Sequence, residues 1–437
     1  MKSVKIGIIG LGNIGCGVME ILQRNSGLLA SRLGASIEVV RVADIDPDRP
    51  RDVTVPEGVM TVDAMDVIND PEVQIVVELI GGIEPARSYI LAAINRGKHI
   101  VTANKALLST HWSELSKKAG AKGVTLGFEG SVAGGIPLVR TIKVGLVANR
   151  ILSVTGIING TCNYILTRMH KEHMTFSSVL GDAQDKGYAE ADPAMDVDGV
   201  DAAQKLAILV NLCFNIPVSP EDFPYQGISR LIPLDLEVAE DFGCRIKLLA
   251  TAGRSGGEVE AWVHPSLVPE GHPLASVDGI FNAVYIQDDN LGPSLYYGRG
   301  AGRLPTGSAV VSDVVSCVRD ILSGAVERIP VSGYRTISNS EPPMKLAGNT
   351  ASEFYVRVSA HDSPGVLSTI SGILGKHGIS ISSVIQRGRE TDPGGGVPLV
   401  MITHEAVFSR MLEALQEIDA LDVTIGESFL MRILMTS

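Results

Sequence analysis

The stretch GYAEADPAMDVDGVDAAQKLAILV, residues 187–210, places five carboxylates within twelve residues and then a single amine in an apolar run. The acids are Glu190, Asp192, Asp196, Asp198 and Asp201; the amine is Lys205. A helix starting near Gly199 puts Asp201, Lys205, Ile208 and Leu212 on one stripe. Burying a lysine there is costly unless it is paired, and Asp201 stands one turn earlier. Two readings follow. Lys205 snorkels with its head in water, or it is an amine held in a cleft as general acid and base. The acids divide likewise between a solvated loop and a site for a cationic group such as an α-ammonium. DVDGVD is not a calcium loop, because the required spacing and the glutamate at position twelve are missing.

A second candidate is GLGNIG, in which Gly10, Gly12 and Gly15 enclose Asn13 and Ile14 directly after the apolar run VKIGII. Glycines at that spacing allow a tight turn and a close backbone approach to a pyrophosphate, which then sits on a helix N-terminus. A further apolar run, SIEVVRVADID, ends in Asp44, a carboxylate placed to bind a ribose 2′-hydroxyl and so to favour NAD. Arg49 and Arg51 follow closely and would suit the extra phosphate of NADP, so both cofactors remain open. Lys105, in VTANKALLS, lies just past another predicted strand, where ligands of parallel sheets bind. A second amine there would depress the pKa of Lys205 by like-charge repulsion. Cys162, in NGTCNY, has no activating base nearby and reads as a structural thiol.

The elements that must position these residues follow from periodicity. Short apolar runs (VKIGII, SIEVVRVADID, VQIVVELIG, KHIVTAN) alternate with helical segments, which predicts a parallel α/β sheet of Rossmann type over residues 1–130. Residues 305–330 are expected to pack back onto it. The pattern loosens over 131–304, where a catalytic and dimerisation domain of α+β type is expected, and 331–352 read as a linker. From 353 to 437 the order of predicted elements is βαββαβ, the ferredoxin-like unit.

Composition narrows the class. The 437 residues are 45% hydrophobic and 20% charged, as in globular proteins with full cores. The net charge of -12, without a dense basic run, argues against nucleic acid as a partner. The five cysteines are scattered and form no CxxC pair, which fits reduced thiols in a cytoplasm. The first residues read as a strand and not as a signal peptide, and no apolar stretch is long enough for a membrane span.

GLGNIG, VTANKALLS, FEGSVAGGIPLV, IINGTCNYIL, GYAEADPAMDVDGVDAAQKLAIL and GRGAGRLPTGSAVVSDV occur in this order. Together they resemble the homoserine dehydrogenases over about residues 1–330. The tail, HDSPGVLSTISGILGKHGISI, is similar to ACT regulatory domains. No aspartate-kinase region precedes them, as in the monofunctional form. The resemblance implies NAD(P)-dependent interconversion of L-homoserine and L-aspartate 4-semialdehyde, in threonine, methionine and isoleucine biosynthesis. It implies that Lys205 exchanges the proton at the substrate's oxygen, with Lys105 as a second amine beside cofactor and substrate. Glu190 would hold the substrate's ammonium, with Asp196 and Asp201 lining that pocket. Cofactor contacts would extend from the glycine loop and Asp44 to Gly81, Lys105 and Gly307. A monovalent cation, usually sodium, would lie at Glu129, Val132, Gly134 and Ile136. An effector, threonine foremost, would bind near Asp362, Ser363 and Gly365, and the chain would form a homodimer or homotetramer. A catalytically silent sensor of nucleotide and amino acid is the rival from another class; the lysine pair and the acid cluster speak against it.

Overall fold

The structure is a computed structural model that describes residues 2–255, 258–325, 328–335, 344–345, 350–386 and 396–434. The chain packs as two compact units. One comprises Met1–Gly160, Ala202–Glu221 and Ile280–Pro342; the other comprises Thr161–Asp201, Asp222–Gly279 and Pro343–Ser437. The middle segment expected as one domain over 131–304 therefore contributes to both units. The linker expected over 331–352 lies largely outside the described residues.

In the first unit, six parallel strands stand in the order β3-β2-β1-β4-β5-β6. They are β1 (Lys2–Ile9), β2 (Ala35–Ala43), β3 (Met60–Thr61), β4 (Ile75–Glu78), β5 (His99–Thr102) and β6 (Leu126–Gly127). Ile6, Ile8, Ile75 and Val77 are fully buried, as runs without alternation require when a strand is covered on both faces. Helix α1 (Asn13–Arg24) and helix α7 (Arg303–Ser323) share this core through Val18, Met19, Val310, Val314 and Val318. Helix α2 (Ala86–Asn95) connects β4 to β5, and α3 (Lys105–Lys122) leaves β5. The same unit holds an antiparallel set in which β10 (Phe281–Asp288) lies between β7 (Ile151–Ile157) and β11 (Gly292–Arg299).

In the second unit, β8 (Cys244–Ser255) and β9 (Glu258–Pro269) form a long antiparallel pair. The C-terminal segment follows the expected βαββαβ order: β12 (Ala351–Ala360), α8 (Val366–Lys376), β13 (Ile381–Ile385), β14 (Val397–Thr403), α9 (Phe408–Asp419) and β15 (Phe429–Ile433). Its strands stand β15-β12-β14-β13, and every neighbouring pair is antiparallel. Strand β15 also pairs in parallel with β9, Arg432 opposite Ser266, so this small sheet continues the β8–β9 pair.

A second tie is ionic. Helix α6 (Pro233–Asp241) carries Asp235, which is fully buried. Its Oδ1 accepts the hydroxyl of Tyr355 at 2.5 Å and the Arg357 Nε–H at 2.8 Å, and its Oδ2 accepts the Ile232 N–H at 2.9 Å. Tyr355 and Arg357 both lie on β12, so one carboxylate fastens the C-terminal sheet to the rest of its unit. Removing one partner of a buried pair leaves the other charge uncompensated. Asp235→Ala is expected to lower unfolding free energy by about 3 kcal/mol, read from urea denaturation. A loss below about 1 kcal/mol would mean that Arg357 finds another partner.

Candidate active site

The glycine loop is built as its spacing requires. Gly10 sits at φ +96°, a conformation closed to most other residues. A Cβ on Gly10 would meet the backbone of Leu79 and Ile80 at about 3 Å, and one on Gly15 would lie 2.3 Å from the Gly10 carbonyl. A Cβ on Gly12 would meet nothing within 4 Å. Gly10 and Gly15 thus fold the turn, while Gly12 leaves the approach to α1 open. Helix α1 begins at Asn13 and has no side-chain cap, so the N–H groups of Asn13, Ile14 and Gly15 lack intrahelical acceptors. A pyrophosphate fits that N-terminus by charge and by space.

Asp44 closes the loop from the end of β2. Its Oδ2 accepts the Leu11 N–H at 2.7 Å, and its Oδ1 accepts the Asp46 N–H and lies 3.1 Å from Arg51 Nη2. Arg51 is itself folded into the loop and donates to the carbonyls of Leu11, Asp46, Pro47 and Arg49. The acid and the arginine that the sequence set against each other are therefore an ion pair.

Gly81 follows β4 in a turn where Gly81 and Gly82 both have positive φ, at +73° and +71°. Glu78, fully buried at the end of β4, accepts the N–H groups of Ile80 and Gly81 and the Thr102 hydroxyl. Burial pushes its carboxyl above the usual range, against those hydrogen bonds. Asn104 caps α3 through the Leu107 N–H and donates to the Gly82 carbonyl at 2.6 Å. The start of α3, with Lys105 as its first residue, is thus tied to the Gly81 turn, which in turn touches Gly10. Glu78 and Asn104 were missed in the sequence. An acid closing the otherwise apolar run IVVE was the available signal for the first.

Gly307, expected among the cofactor contacts, has a packing part here. A Cβ on it would lie 3.0 Å from the backbone of Gly17, where α7 crosses α1.

Lys205 lies on α5 (Val200–Phe214), close to the expected start near Gly199, and is only 8% exposed. Its Nζ donates to the carbonyl of Ile158 at 2.8 Å. The amine is therefore held inside and does not snorkel. The five carboxylates separate. Asp192 caps the Ala194 N–H, and Asp198 accepts the Ser229 hydroxyl. Asp192 serves its own turn, whereas the partner of Asp198 lies 31 positions further along the chain. Glu190 is exposed, Asp196 is half-buried and Asp201 is buried. Cys162, on α4 (Gly160–Glu172), is buried and donates to the Asp196 carbonyl at 3.2 Å, as a structural thiol would.

Glu129, Val132, Gly134 and Ile136 follow β6 in a turn whose Ala133 and Gly134 have positive φ. The Glu129 carboxylate accepts the N–H groups of Val139 and Arg140, and its own N–H donates to Asp313. Burial, then the nearby Asp313, pushes Glu129 up to about 7. A cation beside it would offset both effects, and a carboxylate with backbone carbonyls is an all-oxygen donor set that suits a hard ion. Among the described residues no cluster of His, Cys, Asp and Glu has the makings of a transition-metal site, and no helix is long and apolar enough to cross a membrane.

In the C-terminal unit, Asp362, Ser363 and Gly365 form the exposed turn between β12 and α8, with Gly365 at φ +94° as the N-cap.

A glycine loop opening onto a helix in a parallel sheet marks a dinucleotide-binding protein, and a buried amine lies in the same unit. Residues 10–129 match the NAD-binding domain of homoserine dehydrogenase, residues 137–315 match the homoserine dehydrogenase family, and residues 354–420 match the ACT domain. The chain is 43% identical over 426 residues to the homoserine dehydrogenase of Pseudomonas aeruginosa, covering 98% of each chain. It is 44% identical over 428 residues to that of Synechocystis sp., covering 96% of this chain and 97% of the relative. The crystal structure of a homoserine dehydrogenase from Thiobacillus denitrificans superposes with a TM-score of 0.91 at 41% identity, covering 99% of both chains. The chain belongs to the homoserine dehydrogenase family and is an oxidoreductase.

The two glycines with unlike surroundings separate folding from binding. Gly12→Ala should keep its melting temperature and weaken dinucleotide binding by roughly tenfold or more, measured by calorimetric titration. Gly15→Ala should lose stability as well, because its Cβ strikes the Gly10 carbonyl. Equal melting temperatures and equal affinities for the two variants would contradict this division.

Proposed function

We propose that the chain interconverts L-homoserine and L-aspartate 4-semialdehyde with Lys205 as the acid and base. The buried amine fixed to the Ile158 carbonyl carries this reading. The bound dinucleotide supplies or accepts the hydride. Lys205 exchanges the proton at the substrate's oxygen, which must leave as the alcohol becomes a carbonyl. Lys105, at the N-terminus of α3, adds a second positive charge that favours the neutral form of Lys205. Glu190 holds the substrate's ammonium, and Asp196 and Asp201 complete its acidic surroundings. Asp44 and Arg51, paired with each other, face the adenosine ribose and decide between NAD and NADP.

Glu129, with the carbonyls of Val132, Gly134 and Ile136, holds a monovalent cation such as sodium, which relieves the buried charge on Glu129. The ACT unit binds an amino acid, threonine foremost, at Asp362, Ser363 and Gly365, and the chain works as a homodimer or homotetramer. The reaction belongs to threonine, methionine and isoleucine biosynthesis in a cytoplasm, where five buried thiols stay reduced.

Lys205→Ala should reduce turnover by at least about a thousandfold while dinucleotide affinity stays within about twofold. If the variant instead lost cofactor binding, Lys205 would serve the cofactor and not the proton. Threonine titrated against activity should inhibit the full chain and not a variant with Asp362→Ala and Gly365→Val; identical curves would remove the effector from that turn.

A further inference from the structure

Residues 227–230 run between the loop of acids and the C-terminal sheet of the same unit, and they are bonded to both. At the acid loop the contact is backbone on backbone. A Cβ on Gly227 would lie 1.8 Å from the Val197 carbonyl oxygen and 2.4 Å from the Cα of Asp198, so only glycine fits there. The Ile228 N–H donates to that same carbonyl at 2.7 Å, and the Ser229 hydroxyl donates to Asp198 Oδ1 at 3.2 Å. Val197 and Asp198 close the helical turn that carries Asp196, their N–H groups donating to the carbonyls of Pro193 and Ala194.

At the sheet the contact is made by Arg230. Its Nη2 donates to the carbonyls of Glu427 at 2.7 Å and Ser428 at 3.1 Å, the two residues that lead into β15. Its guanidinium lies 5.7 Å from the centre of the Phe429 ring, and the guanidinium of Arg357, on β12, lies 5.2 Å from the same centre. Arg357 also donates from Nη2 to the Arg230 carbonyl at 3.0 Å. An exposed arginine held by charge alone contributes little. Arg230 is held by two successive carbonyls and an aromatic face, for which a planar guanidinium is suited. Its place is therefore set by β12 and β15.

We propose that Arg230 is a positioning residue for substrate binding, through which the ACT domain holds the acid loop in the shape that receives the substrate's ammonium. Only two residues separate Gly227 from Arg230, and both ends are fixed. A shift of the sheet is passed to Val197 and Asp198 and is not taken up by slack chain. The assignment rests on the reading that Glu190 and Asp196 hold the substrate.

The test uses the full chain, with steady-state kinetics toward homoserine and hydrogen–deuterium exchange read by mass spectrometry. Arg230→Ala should raise the KM for homoserine roughly five- to tenfold. Its kcat and its dinucleotide affinity should stay within about twofold of the wild type, because the lost contact serves substrate binding alone. Exchange should rise over residues 190–199 and stay unchanged over the glycine loop and α1. Arg230→Lys keeps the charge and a donor for one carbonyl, so it should recover part of the lost affinity. Ser229→Ala cuts the same route at its other end and should also raise KM, and the double variant should lose less than the product of the two effects. An unchanged KM in Arg230→Ala would overturn the assignment. So would unchanged exchange over 190–199, or a loss that falls on kcat or on dinucleotide affinity. A wild-type chain inert toward homoserine would instead defeat the substrate reading, and the assignment with it.

Discussion

Backbone-to-backbone contact at a few glycines is the constraint on which the first unit depends. Gly15 has to meet the Gly10 carbonyl, Gly10 has to meet the turn after β4, and Gly307 has to meet Gly17 where α7 crosses α1. A side chain would clash at Gly10 and Gly15 and would be tight at Gly307. Together they bring the N-terminus of α1 and the Gly81 turn into one neighbourhood, to which Asn104 ties the start of α3, and they join α7 to the same helix. Gly12 is the exception that gives the arrangement its use, because it is tight against nothing.

Around this frame, several buried polar groups are held by specific partners. Glu78 spends its oxygens on two backbone N–H groups and a threonine hydroxyl, and by doing so shapes the turn that carries Gly81. Lys205 is fixed by the Ile158 carbonyl, and Asp235 by a tyrosine and an arginine. Low local polarity makes each of these bonds matter more than it would in water.

What was legible in the sequence was local. The GLGNIG loop between strand and helix, the helix that carries Lys205, and the βαββαβ order of the tail all follow from spacing and turn residues a few positions apart. What was not legible depends on residues far apart in the chain. Arg51 looked like a phosphate ligand and Asp44 like a ribose ligand; that they pair is settled by how the loop from 46 to 51 folds back. The acid cluster read as one feature, yet Asp192 caps its own turn while Asp198 accepts the hydroxyl of Ser229, 31 positions further on. Gly307 is expected at the cofactor by resemblance; that it also packs on Gly17, 290 positions earlier, cannot be read from spacing.

The central claim is a reaction in which Lys205 takes the proton while a dinucleotide takes the hydride from the same substrate. The most direct measurement is absorbance at the reduced-nicotinamide band, with purified folded protein, L-homoserine and sodium, run separately with NAD and NADP. The account predicts a rise that depends on homoserine, with the two rates reporting how the Asp44–Arg51 pair treats the 2′ position. No rise with either cofactor would contradict it and would return the chain to a binding role without catalysis.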